Sequence, residues 1–397
     1  MSATTSSGRE PEQRMNTELR RLQRGSLALG VLCLALCLLG AAWSPTQFFR
    51  SYLLAYVFWI AMPLGCVALL LLHDLTGGIW GAGIRPFLTS ASRTLGLMAL
   101  LFVPLVFGLS RIYLWDQAAA ASDPLLQYKR FYLNTPFFLV RTLLYFAAWM
   151  TLAHLLNRTR PQPSPRDDQE SRLSAASGAG LVLYVLTATF ASVDWLMSIE
   201  PRWFSTIYGL LFVVVQVLAG LSLVVVAAYL FVRLSATGGP IPALLLNDLG
   251  NLLLTFVMLW AYLAFSQFLI IWSGNLNDEI PWYASRATGG WAVVAVLLIV
   301  LHFGVPFLLL LSRDVKRRID ALAAIAGGLL ILTLVDLFWL VVPGFEPQSP
   351  RVHWMDAAAV LGLGGIWFAA FLSRFDSSSP LVALRQLSAE GVVPHGD

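Results

Sequence analysis

Charge is what this chain has least of. Its 397 residues include 26 Lys+Arg and 22 Asp+Glu, or 12% charged, where a soluble domain carries about 25%. A solvated globular surface is therefore excluded. Cysteine is scarce too. Cys33, Cys37 and Cys66 all sit in apolar runs, and neither C-x-x-C nor C-x-x-C-H occurs. No thiol-ligated metal, iron–sulfur cluster or c-type haem is expected within this chain. Only five histidines are present. Among them His73 and His154 share an inner depth at which two imidazoles could hold a b-type haem, but with so few histidines, one of them in the tail, none is expected. No G-x-G-x-x-G or P-loop is present, which removes nucleotide-driven transport. The ten-residue alternation of an outer-membrane barrel is also missing.

What the chain has is apolar length. It is 58% hydrophobic, with mean hydropathy +0.72. Runs long enough to span a bilayer recur at 25–43, 52–73, 94–113, 135–156, 174–198, 204–233, 247–273, 288–311, 319–342 and 354–374. They predict an all-α, polytopic membrane protein of ten helices. Residues 1–24 read as a disordered polar leader, 25–375 as one transmembrane domain, about 158–173 (with the Pro-rich RPQPSPRDDQESR) as a linker, and 376–397 as a polar tail. The first run follows a polar leader without a small-residue cleavage site and reads as a retained span.

The net charge of +4 is no nucleic-acid footprint, because it follows topology. With the N-terminus inside, eighteen Lys/Arg fall on inner segments and seven on outer ones, leaving Arg141 within a helix. The positive-inside rule then puts both termini in the cytoplasm. The outer segment QYKRFYLNTPFF mixes basic and aromatic residues, as an interfacial belt or a docking surface does.

The most informative stretch is FASVDWLMSIEPRWFS, 190–205. It places an Asp inside an apolar run, where a charge costs roughly 2.5–3.5 kcal/mol. By the helical rise, Arg141 lies about 9 Å from the outer edge, and Asp194, Asp336 and Asp356 share its layer. An Arg141–Asp pair follows, with the choice of Asp open. Gln216 lies near mid-membrane and His302 about 21 Å from outside. Tyr262 and Gln267 share a tract of the seventh helix, and Asp248 marks the inner edge with His73, His154 and Asp314. Such a ladder suits a proton path, or else interhelical hydrogen bonding that holds a large bundle together.

Several motifs here are similar to a known family: HDLTGGIWG (73–81), YLNTPFFLVRTLLYFAAW (132–149), ASVDWLMSIEPRWFSTIYG (191–209), the stretch 248–283, HFGVPFLLLLSRDVKR (302–317) and HWMDAAAVLGLGGIW (353–367). Over about residues 50–375 the chain resembles the ActF-like membrane subunits of bacterial alternative complex III, within the NrfD-like, polysulfide-reductase membrane-subunit family. The resemblance implies two four-helix bundles, helices two to five and six to nine, in the bacterial inner membrane. It implies a respiratory quinol:electron-acceptor oxidoreductase whose partners include an NrfD-like paralogue, an iron–sulfur protein and a multihaem cytochrome c. Haem c and iron–sulfur clusters would belong to those partners. This subunit would hold no cofactor of its own; the NrfD-like paralogue would hold the main quinol site, and whether a quinone or quinol also binds here is left open by the resemblance. Its role would be proton conduction, with Arg141, Asp194 and Asp336 as an outer half-path and His302 with Asp248 as an inner one, Gln216, Tyr262 and Gln267 lying between. A structural anchor without proton transfer, or a stand-alone secondary transporter, are the competing expectations. A transporter calls for discontinuous helices around a substrate site.

Overall fold

The computed structural model describes residues 9–158, 167–234 and 241–375, with side chains from 15 in the first segment and from 174 in the second. Ten helices are long and apolar enough to cross a membrane, and no strand occurs among the described residues. The spans lie in α1 Arg9–Trp43, α2 Pro45–Thr76, the segment Ile79–Val106 whose second helix Leu95–Val106 is α3, α4 Thr135–Arg158, α5 Asp167–Trp195, α6 Tyr208–Leu234, α7 Ala243–Gly274, α8 Gly289–Leu311, α9 Ile319–Val341 and α10 Trp354–Arg374. Large apolar side chains such as Leu32, Phe265, Ile299 and Leu308 are exposed. On a soluble monomer they would form adhesive patches; around a multi-pass membrane protein they form the lipid-facing surface.

The leader expectation needs correction. Residues 1–8 lie outside the described residues, but helix begins at Arg9, not at 25. Glu, Gln, Arg and Leu are good helix formers, and Met15 and Leu19 pack against the core. Helix likewise starts at Asp167, inside the expected linker, of which 159–166 lie outside the described residues, as does the tail 376–397.

Two buried helices organise the rest. α2 is apolar all round and almost wholly enclosed, and α6 nearly so, as expected of helices that face protein on every side. α2 packs with α3, α4 and α5, and α6 with α7 and α9 while α8 packs on α7 and α9, making two four-helix bundles. The bundles meet along α2 and α6. At that seam a Cβ on Gly65 would land on the Gln216 carbonyl, and one on Gly220 would lie 2.8 Å from Gly65 C and 2.9 Å from Cys66 N. Glycine at both positions lets the backbones touch. α1 and α10 pack along each other and against α2.

The described connections gather at two ends. One end is loop-rich: Lys129 Nζ donates to Pro201 O at 2.6 Å, and Trp291 Nε1 to Glu346 O at 3.1 Å. At the other, α2 stops at Gly77 and Gly78, whose φ of 66° and 96° suit glycine alone. The chain then forms an amphipathic helix, Ile79–Ser92, burying Ile84, Phe87, Leu88 and Ala91. This helix runs across the ends of α2, α4, α6, α7 and α10, with Arg85 Nη1 donating to Asp74 Oδ1 at 2.7 Å and Ser90 Oγ to Arg374 O at 3.3 Å. It straps the two bundles together, then turns at Arg93–Thr94 into α3.

Candidate functional site

In the first bundle the buried charges found each other. Arg141 lies near the start of α4 and Asp194 one residue before the end of α5. Arg141 Nε donates to Asp194 Oδ2 at 2.8 Å and Nη2 to Oδ1 at 2.9 Å, the two-pronged geometry that makes Arg–carboxylate pairs strong. Tyr145, one helical turn after Arg141, donates its hydroxyl to Asp194 Oδ2 at 2.7 Å. The third guanidinium prong reaches Tyr132 O at 3.0 Å, and the cation lies 3.8 Å and 4.3 Å from the ring centres of Tyr132 and Phe137, within cation–π range. Asp194 is 0% exposed, yet nearly every lone pair is used. Trp195, Phe102, Phe146 and Trp149 close the site from below with mutual ring contacts.

A pocket of about 520 Å³ opens beside this pair at the loop-rich end, lined by Tyr128, Phe131, Tyr132, Ser198, Trp203 and Phe204 among others. Its size and aromatic walls suit a planar ligand. Burial pushes the Tyr132 phenol up, with the Asp194 charge adding to it, so the hydroxyl stays protonated. Burial also lowers the Lys129 ammonium at the rim.

The second bundle holds its carboxylate differently. Asp336 on α9 is 2% exposed, and among the described residues it accepts one hydrogen bond, from Trp260 Nε1 on α7 at 3.1 Å. No cation among the described residues lies within ion-pair distance. His302 packs against that indole in a tilted contact, with ring centres 4.4 Å apart. Among the described residues neither His302 nitrogen meets a partner in hydrogen-bond geometry, the Leu332 backbone being the polar group it approaches. His302 sits in a π-helical turn, Leu298–Gly304, of α8. Pro306 has no N–H to bind the His302 carbonyl four residues back, so the helix widens there, and such turns recur at functional sites. Trp260→Phe removes the one donor to Asp336. The expected loss is about 1–3 kcal/mol of stability, read as a lower melting temperature in detergent.

The remaining predicted residues scatter. Gln216, buried at the α2–α6 seam, accepts from Tyr184 Oη at 2.5 Å, and its amide nitrogen has no partner among the described residues. Gln267 accepts from Ser205 Oγ at 3.1 Å and donates to Tyr283 Oη at 3.3 Å, at the loop-rich end. Tyr262 is 66% exposed and faces away from the interior. Five residues from Gln267, it is turned by about 140° around the helix, so a shared tract did not mean a shared face. Asp248 is half-buried at the far end of α7, with no hydrogen bond or ring contact to His302. His302 instead belongs with Asp336. Asp356 joins neither group. It caps α10 by accepting from His353 N at 2.8 Å, and it accepts from Ser51 Oγ. His73 is taken up locally, its Nε2 lying 3.1 Å from Gly78 O and its Nδ1 3.4 Å from Arg85.

Sequence reasoning passed over four contributors. Tyr145 was findable, since i and i+4 share a helix face. Trp260 carried no signal among fourteen tryptophans. Glu200 and Arg286 read as loop residues, yet Arg286 is 0% exposed. Its Nη2 donates to Glu200 Oε2 at 2.7 Å and to Leu340 O at 2.8 Å, which ties the turn after α5 to the end of α9. In comparisons with known proteins, no family model and no curated protein matches this chain.

Proposed function

We propose that this chain is a cofactor-free, proton-conducting membrane subunit of a quinol:electron-acceptor oxidoreductase of the alternative complex III type. One observation carries the reading. Among the described residues Asp336 is a buried carboxyl group without a counter-charge, held by one neutral donor whose indole also packs on the His302 imidazole. A carboxylate so placed is costly when ionised, and a group that must gain and lose a proton as its surroundings change fits a relay better than a brace. The motif resemblance over 50–375 supplies the respiratory setting. In it the loop-rich end faces the periplasm and the arginine-rich end the cytoplasm of a bacterial inner membrane, as the basic-residue distribution favours. Iron–sulfur and multihaem cytochrome subunits would be the partners, and the aromatic pocket over Tyr132 is where a quinone ring would lodge.

The two half-paths divide by bundle. Asp194 with Tyr145 lies under the pocket and would release protons there. Asp336 with His302 would serve the second bundle. A scaffold role is favoured for one part alone: the Arg141–Asp194 pair is so fully bonded that it suits bracing as well as relay.

Asp336→Asn tests the proton reading. The amide still accepts from Trp260, so the fold is kept, but it cannot exchange a proton. Proton-coupled turnover of the isolated complex in proteoliposomes should fall by an order of magnitude or more. Parental proton-to-electron stoichiometry in that variant defeats the proposal.

A further inference from the structure

We propose that a second pocket, at the arginine-rich end between α3, α4 and α10, binds the headgroup of an anionic glycerophospholipid. The pocket measures about 410 Å³, and its walls include Arg93, Arg158, Arg374, His154, Asn157 and Ser92. No carboxylate among the described residues lines it. Four arginines near other span ends and turns are ion-paired: Arg85 with Asp74, Arg202 with Asp123, Arg233 with Asp320, Arg286 with Glu200. The three here converge without an ion pair among the described residues. Like charges gathered in one hollow repel unless an anion joins them, and guanidinium forks match phosphate oxygens.

Depth and shape argue for a lipid. Arg158 and Arg374 are the last residues of their spans, and Arg93 marks the turn where the amphipathic helix becomes α3. All three therefore stand at headgroup level. Above them Met150 and Leu155 on α4 and Leu100 and Val103 on α3 are exposed apolar side chains, a track for acyl chains. Basic hollows between spans at a cytoplasmic surface are where anionic headgroups bind. Asn157 adds selectivity. Its Nδ2 donates to Ser92 Oγ at 3.1 Å and Ala153 O at 2.6 Å, which leaves Oδ1 buried without a donor among the described residues. A headgroup glycerol hydroxyl supplies one.

The test uses the full-length protein, purified with whatever subunits accompany it, and native mass spectrometry of bound lipid. Phosphatidylglycerol should be retained through delipidation and phosphatidylcholine of the same chains should not. Changing Arg93, Arg158 and Arg374 together to Gln should weaken phosphatidylglycerol retention on the order of a hundredfold, and each single change roughly fivefold. The single variants serve if the triple one fails to fold. Changing Arg313, Arg317 and Arg318 to Gln removes equal charge at the same end and should leave retention unaltered. Equal retention of the two lipids, unaltered retention in the single variants, or an equal loss in the Arg313 set overturns the proposal. So does glycerol 1-phosphate binding as tightly as the lipid, which would make the site one for soluble phosphate.

Discussion

Asp194→Ala is expected to lower the stability of the protein by about 3–5 kcal/mol, the cost of stranding one member of a buried ion pair. The size follows from how Arg141 is held. Two of its prongs end on Asp194, and both residues are buried. With the carboxylate gone, the guanidinium keeps the Tyr132 carbonyl and two aromatic faces, none of which carries a neutralising charge, and the Tyr145 hydroxyl loses its acceptor. The paired change Arg141→Met with Asp194→Leu strands nothing and should cost less than Asp194→Ala alone. Thermal unfolding in a single detergent, followed by tryptophan fluorescence, reads both. A parental melting temperature for Asp194→Ala overturns the assignment of this pair as a structural keystone. If the paired change also preserves proton-coupled turnover, the pair is a brace and the relay lies with Asp336.

Gly65→Leu should separate the bundles. The obstacle is backbone, the Gln216 carbonyl on α6, so no rotamer change can make room. Ordinary overpacking costs about 1–3 kcal/mol, and here the helices themselves must part, so the loss should exceed that range and abolish a monodisperse product on size-exclusion chromatography. Gly328→Ala in α9 is the control. Nothing lies within 4 Å of its added methyl group, and alanine favours helix, so that variant should match or exceed the parent. A well-behaved Gly65→Leu protein would mean the α2–α6 seam is not the contact that joins the halves.

Spans were legible because bilayer thickness dictates run length, and α3 begins at Leu95 where the apolar run begins. The strap before it was legible in principle: Ile84, Phe87, Leu88 and Ala91 recur at helical spacing, but Arg85, Pro86 and Arg93 interrupt the hydropathy. Depth was legible for Arg141 and Asp194, since rise per residue is fixed. Azimuth was not. Three aspartates shared the layer of Arg141, and which one faced it depended on how α4 and α5 roll against each other. Asp356 was lost to a helix cap and Asp336 to a tryptophan in the other bundle. Tyr262 failed for the same reason in reverse, with depth right and direction wrong. The Arg286–Glu200 tie was hidden because a loop arginine looks solvated until the fold closes over it.

The enclosure of α2 has a consequence for biogenesis. Its Tyr52 and Tyr56 hydroxyls donate to carbonyls of α3, and its Trp59 N–H donates to Val360 O on α10. The last of these acceptors is synthesised some 300 residues after its donor. While the ribosome is still making α6 and α10, the helix destined for the centre must sit in lipid with its flanks bare and its indole unanswered. A chain halted before Trp354 would therefore present its most central helix to the bilayer, and to membrane proteases, as an open edge. The tenth span is the latch, and its arrival decides whether the second one survives.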